Sequence, residues 1–257
     1  MSGATVEGET LDTFQRGRFR LVQSARGHRS GTDALLLASV VPPDASGRLL
    51  DLGAGAGAVA FAALSKAPGL AADLMDADAA ACDRAERGVA LNPHLAGRAR
   101  VVRLAVEAPS AAREMAGVRA DSYDWVVSNP PFNDGSHRVS RDAARAGAHA
   151  LGPDGLADWL RMVRAATRPG GRAALILRPT QLVEAVEGLR GFAVCVVPVH
   201  PRADQSGRGE AAHRVIVGGR KGARAALRVM PGVALHDGEG FTPQAAALLD
   251  GEATLDL

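Results

Sequence analysis

The sequence predicts an α/β fold: a mostly parallel sheet flanked by helices, with an antiparallel strand pair at one edge. Three observations carry that prediction. Short apolar runs alternate with Ala-rich helical stretches from residue 48 to residue 190. Loops rich in Gly or Pro directly follow two of those runs, where buried parallel strands are expected to end. Two strand-like segments then succeed one another with no helix between them.

Each element has its own signal. Residues 14–23 (FQRGRFRLVQ) read as a small hairpin with Gly17 at the turn. Thr32 or Ser30 is placed to cap a helix over 33–41, which Pro42-Pro43 ends. Residues 48–52 (RLLDL) form a short buried strand, and 53–57 a loop opening a helix over 58–66. A strand over 71–75 follows, then a helix over 79–91 that stops at Asn92-Pro93. The next elements are a strand over 100–104 and a short helix over 111–115. Residues 123–128 (YDWVVS) give a fourth strand ending in Asn129-Pro130-Pro131-Phe132, and 133–152 a polar loop. A helix over 155–167, a strand over 172–177 and a helix over 180–190 complete the alternation. The closing pair covers 193–199 and 212–217. The chain therefore parses into a flexible tail over 1–12, a hairpin-and-helix extension over 13–47, and one α/β domain over 48–257.

Composition narrows the function classes. The 257 residues are 47 % apolar and 23 % charged, which excludes a disordered or fibrous chain. The two cysteines, Cys82 and Cys195, build neither a disulfide framework nor a zinc site and fit a reducing, cytoplasmic setting. The seven histidines are scattered without metal-ligand spacing, so no metal is expected. The polar, acidic start is unlike a signal peptide, and no apolar run approaches the roughly 18 residues of a membrane span. Net charge is only +2, yet the basic residues cluster. Arg16, Arg18, Arg20, Arg26 and Arg29 lie within 13–32 without an acid. Arg202, Arg208, Arg214, Arg220, Lys221 and Arg224 lie within 200–224 against Asp204 and Glu210. Two such segments suggest a basic face that attracts phosphates.

Two motifs carry chemistry. In Asp51-Leu52-Gly53-Ala54-Gly55-Ala56-Gly57 the glycines recur at every second position between a strand and a helix. That lets a ligand approach the backbone near a helix N-terminus. The spacing differs from the dinucleotide fingerprint, and the Lys and Ser/Thr of a phosphate-binding P-loop are missing. Asp76 ends the next strand, where a carboxylate can accept bonds from both ribose hydroxyls; Asp73 and Asp78 are its neighbours. The second motif is Asn129-Pro130-Pro131-Phe132. Two prolines remove two backbone donors and leave carbonyls as the available polar groups. The Asn129 oxygen and the Pro130 carbonyl can then accept both hydrogens of a planar exocyclic amine, while Phe132 stacks on the ring that carries it. Trp125 and Trp159 are expected in the core.

DLGAGAG, then Asp76, then SNPPF together resemble class I S-adenosylmethionine-dependent methyltransferases that act on amino nitrogens. RGHRSGTDALLLA, HRVIVGGRKG and GEGFTPQAAALL are more specific: they are similar to the bacterial tRNA(Val) adenine N6-methyltransferases, which modify the adenine beside the anticodon. The resemblance runs from about Phe14 to about Leu249 and implies a Rossmann-like, seven-stranded methyltransferase domain. It implies that Gly53, Gly55 and Gly57 pass under the methionine part of S-adenosylmethionine. Asp51 would orient that loop or the cofactor's amino group, Asp76 would bind the ribose, and Gly31-Thr32-Asp33 would close over the cofactor. Asn129 and Pro130 would hold the target amine, with Pro131 and Phe132 completing the catalytic loop. Such enzymes usually carry an Asp that bonds the cofactor's adenine; here Val106 stands in its place, with Glu107 beside it.

The partner implied is tRNA, held by Arg16, Arg18, Arg20, Arg26, Arg29, Arg138, Arg141, Arg202, Arg208 and Lys221. A monomer is favoured. Competing readings keep the reaction and change the acceptor: an rRNA guanine N2 amine or a release-factor glutamine amide. A cofactor-binding RNA chaperone without turnover is the non-enzyme alternative.

Overall fold

The computed structural model describes residues 6–25, 31–131, 155–203 and 210–257. An N-terminal hairpin pairs β1 (Glu9–Phe14) with β2 (Phe19–Ser24). It begins inside the stretch expected to be a tail, because Glu9 is held by Arg87 at 2.7 Å. Helix α1 (Thr32–Ala38) is shorter than expected, and its N-cap is Gly31 with no side-chain cap rather than Thr32.

Strands and helices then alternate: β3 (Ser46–Leu52), α2 (Ala58–Lys66), β4 (Gly69–Asp76), α3 (Ala79–Leu91), β5 (Ala99–Arg103), α4 (Ser110–Met115) and β6 (Tyr123–Ser128). After them come α5 (Leu156–Ala166), β7 (Thr167–Leu177), α6 (Leu182–Gly188), β8 (Phe192–Arg202) and β9 (Arg214–Lys221). Three short strands, β10 (Arg228–Val229), β11 (Val233–Asp237) and β12 (Gly240–Phe241), precede α7 (Pro243–Leu249). The main sheet runs β12-β11-β8-β9-β7-β6-β3-β4-β5 with β10 also on β8. Within it β9 is antiparallel to both β7 and β8, so the expected antiparallel pair is present. The sheet has ten strands rather than seven, because β10 and β11 add to it in parallel on β8 and β12 adds antiparallel on β11.

Successive strand residues point to opposite faces, and the two faces bury different helices. On β3, Leu49 joins the cluster of α1, α2 and α7, whereas Leu50 and Leu52 join that of α5 and α6. Emptying one fully buried leucine, as in Leu50→Ala, costs about 2–5 kcal/mol.

Beneath the second cluster lies a buried ion network. The Asp73 carboxylate, 5 % exposed, accepts bonds from Arg48 (2.6 Å), Arg100 (2.8 Å) and the Tyr123 hydroxyl (2.5 Å). Burial pushes the Asp73 carboxyl up, but the bonds from Arg100 and Tyr123 and the charges of Arg100 and Arg48 hold it below the usual range. Asp73 is therefore a structural residue, which leaves Asp76 as the carboxylate at the end of β4.

Candidate active site

All parallel strands end at one edge of the sheet, and β4 and β6 lie on opposite sides of β3, the chain crossing over after β5. Ligands of open α/β sheets bind at such a reversal. Leu52 pairs with Ser128 across it, and the Ser128 hydroxyl donates to the Leu52 carbonyl at 2.7 Å. The next residue on each strand is functional in type: Gly53 on one side, Asn129 on the other.

The glycine loop is tied down from β4. Gly53 and Ala54 donate to the Met75 carbonyl at 2.8 and 3.0 Å, and Gly55 donates to Asp76 Oδ2 at 2.8 Å. Gly53, Gly55 and Gly57 all have positive φ (72°, 57° and 95°), but they are needed for different reasons. A Cβ on Gly53 would overlap the Trp159 ring, and one on Gly57 would meet Leu74 at 2.6 Å. A Cβ on Gly55 would point into open space. Gly55 is thus where ligand can lie against bare backbone.

Three carboxylates or amides border this loop. Asp51 is 1 % exposed, and its Oδ2 accepts from the Ala60 amide in the first turn of α2 at 3.0 Å. Burial raises its carboxyl to about 7; the Ala60 bond opposes this and the Asp76 charge adds to it. Asp76 is half-buried, and its second oxygen accepts from the Asp78 amide at 2.9 Å. Each oxygen keeps a lone pair for a hydroxyl. The Asn129 Oδ1 is buried and has no partner among the described residues. Leaving such an acceptor unmade costs about 1–3 kcal/mol, so its expected partner is a donor on a ligand. Pro130, buried behind it, and Pro131 contribute no N–H.

Chains of this design are known. A model of the methyltransferase small domain family matches residues 22–195. The chain belongs to that family. It is therefore an S-adenosylmethionine-dependent methyltransferase, and its residues fit that cofactor: Gly55 is open, and Asp76 retains acceptor capacity. The chain is 30% identical, over 79% of its length and 81% of the relative's, to the tRNA1(Val) (adenine(37)-N6)-methyltransferase of Aeromonas salmonicida. It is 36% identical over 120 residues to Ribosomal RNA small subunit methyltransferase C of Klebsiella pneumoniae, covering 46% of this chain and 31% of that one. A solved Agrobacterium tumefaciens structure, described as a predicted O-methyltransferase, superposes with a TM-score of 0.73 at 29% identity. That likeness covers 88% of this methyltransferase and 99% of its neighbour.

The other expected site residues divide. Gly31 and Thr32 start α1 at the carboxyl edge, and Asp33 is ion-paired with Arg214 at the start of β9 (2.8 Å). Val106 is half-buried against the second apolar cluster, and Glu107 is exposed. Phe132, Arg26, Arg29, Arg138, Arg141 and Arg208 lie outside the described residues. Arg202 is exposed at the end of β8, on the carboxyl edge.

The basic residues that the structure describes do not all lie at the carboxyl edge. Helix α3 runs back from the carboxyl edge, so Asn92 beyond its last turn marks the opposite, amino edge. Asn92 brackets the backbone of Arg20 with two bonds of 2.8 and 2.7 Å. Arg16 pairs with Asp250 (2.8 Å) and Glu252 (3.0 Å), and Arg18 donates to the Gly251 carbonyl. Lys221 Nζ is spent on Asp121 and on the Arg164 and Thr167 carbonyls, 2.6–2.7 Å away, where it closes the end of α5. These four cations sit at the edge opposite Gly53 and Asn129. Charge clustering along the chain carried no information about which edge a side chain reaches. Trp159 is in the core as expected, but its close contact with Gly53 has no signal in the sequence.

Proposed function

We propose that this methyltransferase acts on the exocyclic N6 amine of an adenine in tRNA, in the anticodon loop next to the anticodon. The observation that carries an amine acceptor is the buried Asn129 Oδ1 beside the prolines, which has no partner among the described residues. An amine brings two N–H groups, which match the Asn129 oxygen and the Pro130 carbonyl. A hydroxyl brings one, which disfavours an O-methyl acceptor. Adenine and tRNA are supported by the Aeromonas relative, whose name states that substrate and whose length this chain largely spans.

S-Adenosylmethionine, held by Gly53, Gly55 and Asp76, supplies a methyl group already activated on a sulfonium. The protein's contribution is placement, which accounts for much of the rate when reactants are aligned. Bonds from the amine to Asn129 Oδ1 and the Pro130 carbonyl turn the nitrogen lone pair toward the methyl. The nitrogen becomes acidic only as the methyl arrives, so water can take the proton and no strong base is required of the chain. The target base must leave its stack, which is easiest in a loop.

An rRNA amine is the second reading, favoured by the higher identity to the Klebsiella protein over the shared segment; this chain spans about a third of that protein's length. Transfer of labelled methyl to tRNA and rRNA lacking native modifications, followed by nucleoside analysis, separates the readings. N6-methyladenosine in tRNA is expected. Label confined to N2-methylguanosine in rRNA selects the second reading, and label in neither RNA refutes both.

A further inference from the structure

Among the described residues one aromatic side chain is exposed: Phe241, at 45 %. It lies in β12, the two-residue strand that ends the main sheet. Its ring stacks on His236 of β11, with centroids 4.7 Å and planes 22° apart. The His236 Nδ1 is within hydrogen-bond distance (3.3 Å) of the Gly240 carbonyl, which fixes the imidazole under that stack. Topology brings the pair to the edge where the methyl-transfer site lies. Strand β9 is antiparallel to β7 and to β8, so β8 runs in the direction of β7, and β11 is parallel to β8. Both β8 and β11 therefore end at the same edge as β3 and β6. His236 is in register with Arg202, the last residue of β8, and the Ala203 amide donates to the His236 carbonyl at 2.8 Å. The Arg202 side chain is exposed and has no partner among the described residues.

A free cation beside an exposed aromatic stack is the chemistry that holds single-stranded nucleic acid: the ring stacks on a base and the cation takes a phosphate. Asp237 and Glu239, exposed at the tip of the β11–β12 hairpin, repel phosphate there. They leave the nucleic-acid backbone to the Arg202 side and the base to Phe241. Four strand spacings separate β6 from β11, about 19 Å along the edge, a span that a few extended nucleotides bridge. We propose that Phe241, backed by His236, and Arg202 form an RNA-contact surface of this methyltransferase. Phe241 stacks on an unpaired base a few nucleotides from the target, and Arg202 pairs with a phosphate of the same strand. This deepens the reading of an RNA acceptor and rests on it.

Fluorescence anisotropy with an unmodified tRNA anticodon stem-loop and an unmodified rRNA fragment, at several salt concentrations, tests the surface. Phe241→Leu keeps the apolar mass and removes the stacking ring; it is expected to weaken binding of the RNA that the protein methylates by about 10-fold. Phe241→Trp keeps a stacking ring and is expected to bind as wild type does or more tightly. Arg202→Gln is expected to weaken binding several-fold and to lower the salt slope by about one phosphate contact. S-Adenosylhomocysteine affinity should be unchanged in all three, which separates loss of base stacking from loss of fold. In the wild-type protein, stem-loops with 5-iodouridine at successive loop positions are expected to crosslink to a peptide containing Phe241. The proposal is overturned, with the RNA reading intact, if Phe241→Leu binds the methylated RNA as wild type does. It is equally overturned if the wild-type crosslinks all lie outside the β11–β12 hairpin. Wild-type protein that binds and methylates neither RNA refutes the RNA reading and the proposal together, and leaves a protein amide as the acceptor.

Discussion

Two buried carboxylates on neighbouring strands, Asp73 on β4 and Asp51 on β3, have opposite surroundings. Asp73 is ringed by Arg48, Arg100 and Tyr123, and its charge is held on. Asp51 has a single backbone donor and another carboxylate nearby, and its proton is held on to about pH 7. The first cluster is closed by its own residues. The second adjoins a glycine with open space above it, at the strand ends where the Asn129 oxygen has no partner among the described residues. Both are buried strand residues, so what separates a folding element from a binding element is whether the polar groups are satisfied internally.

Removing a group from each cluster tests that contrast most directly. Asn129→Ala is expected to lower turnover by about 100-fold or more through misplacement of the amine, with S-adenosylhomocysteine affinity within a few-fold of wild type. Calorimetry beside single-turnover kinetics reads both quantities; an equal loss in each would show that Asn129 holds cofactor instead. Asp73→Asn is expected to do the reverse. It removes the charge and turns one of the two acceptor oxygens into an NH2 that faces donors of Arg48, Arg100 or Tyr123, at a cost of about 2–4 kcal/mol. The melting temperature should fall while turnover measured well below it stays near wild type. Loss of turnover without loss of stability would place Asp73 in the site.

Legibility in the sequence followed the same divide. The alternation from β3 to α6 is readable because most of its strands and helices have their own hydrophobic period and several have a Gly or Pro stop, although Pro169-Gly170-Gly171, read as a turn, lies inside β7. Gly53, Asp76 and Asn129 are readable because loop chemistry is local. The β10–β12 extension was not, since Arg228–Val229 and Gly240–Phe241 are two residues each and owe their conformation to pairing with β8 and β11. Nor was the start of the hairpin at Glu9, which depends on Arg87 from a helix far along the chain. Long-range partners decide such elements. The same holds for Lys221, whose basic neighbours in sequence suggested RNA and whose partners in space are Asp121 and two carbonyls.

Within the glycine loop the contrast can be sharpened with a single methyl group. Gly53→Ala forces Cβ into the Trp159 ring and is expected to destabilise by about 1–3 kcal/mol, as overpacking does. Gly55→Ala meets no protein atom; it costs only the left-handed backbone penalty, about 1–2 kcal/mol, and fills the space assigned to ligand. Thermal melts should show the larger loss for Gly53→Ala, and S-adenosylhomocysteine titrations the larger loss of affinity per degree of melting for Gly55→Ala. If Gly55→Ala bound the cofactor normally, ligand would have to lie elsewhere.

The pH dependence of stability has opposite sign for the two carboxylates. Asp73 has a folded-state pKa below its unfolded value, so its contribution to stability is present above about pH 4 and is lost on acidification. Asp51 has a folded-state pKa raised to about 7. Between about pH 4 and 7 the folded protein therefore binds a proton there that the unfolded chain releases, so stability falls as pH rises through that window. Asp51→Asn keeps an oxygen for the Ala60 amide and removes the titration. Without ligand, wild type should lose more melting temperature than Asp51→Asn between pH 5 and pH 8. Parallel pH profiles would mean that Asp51 is ionised throughout and that its charge is balanced by a group other than the Ala60 amide.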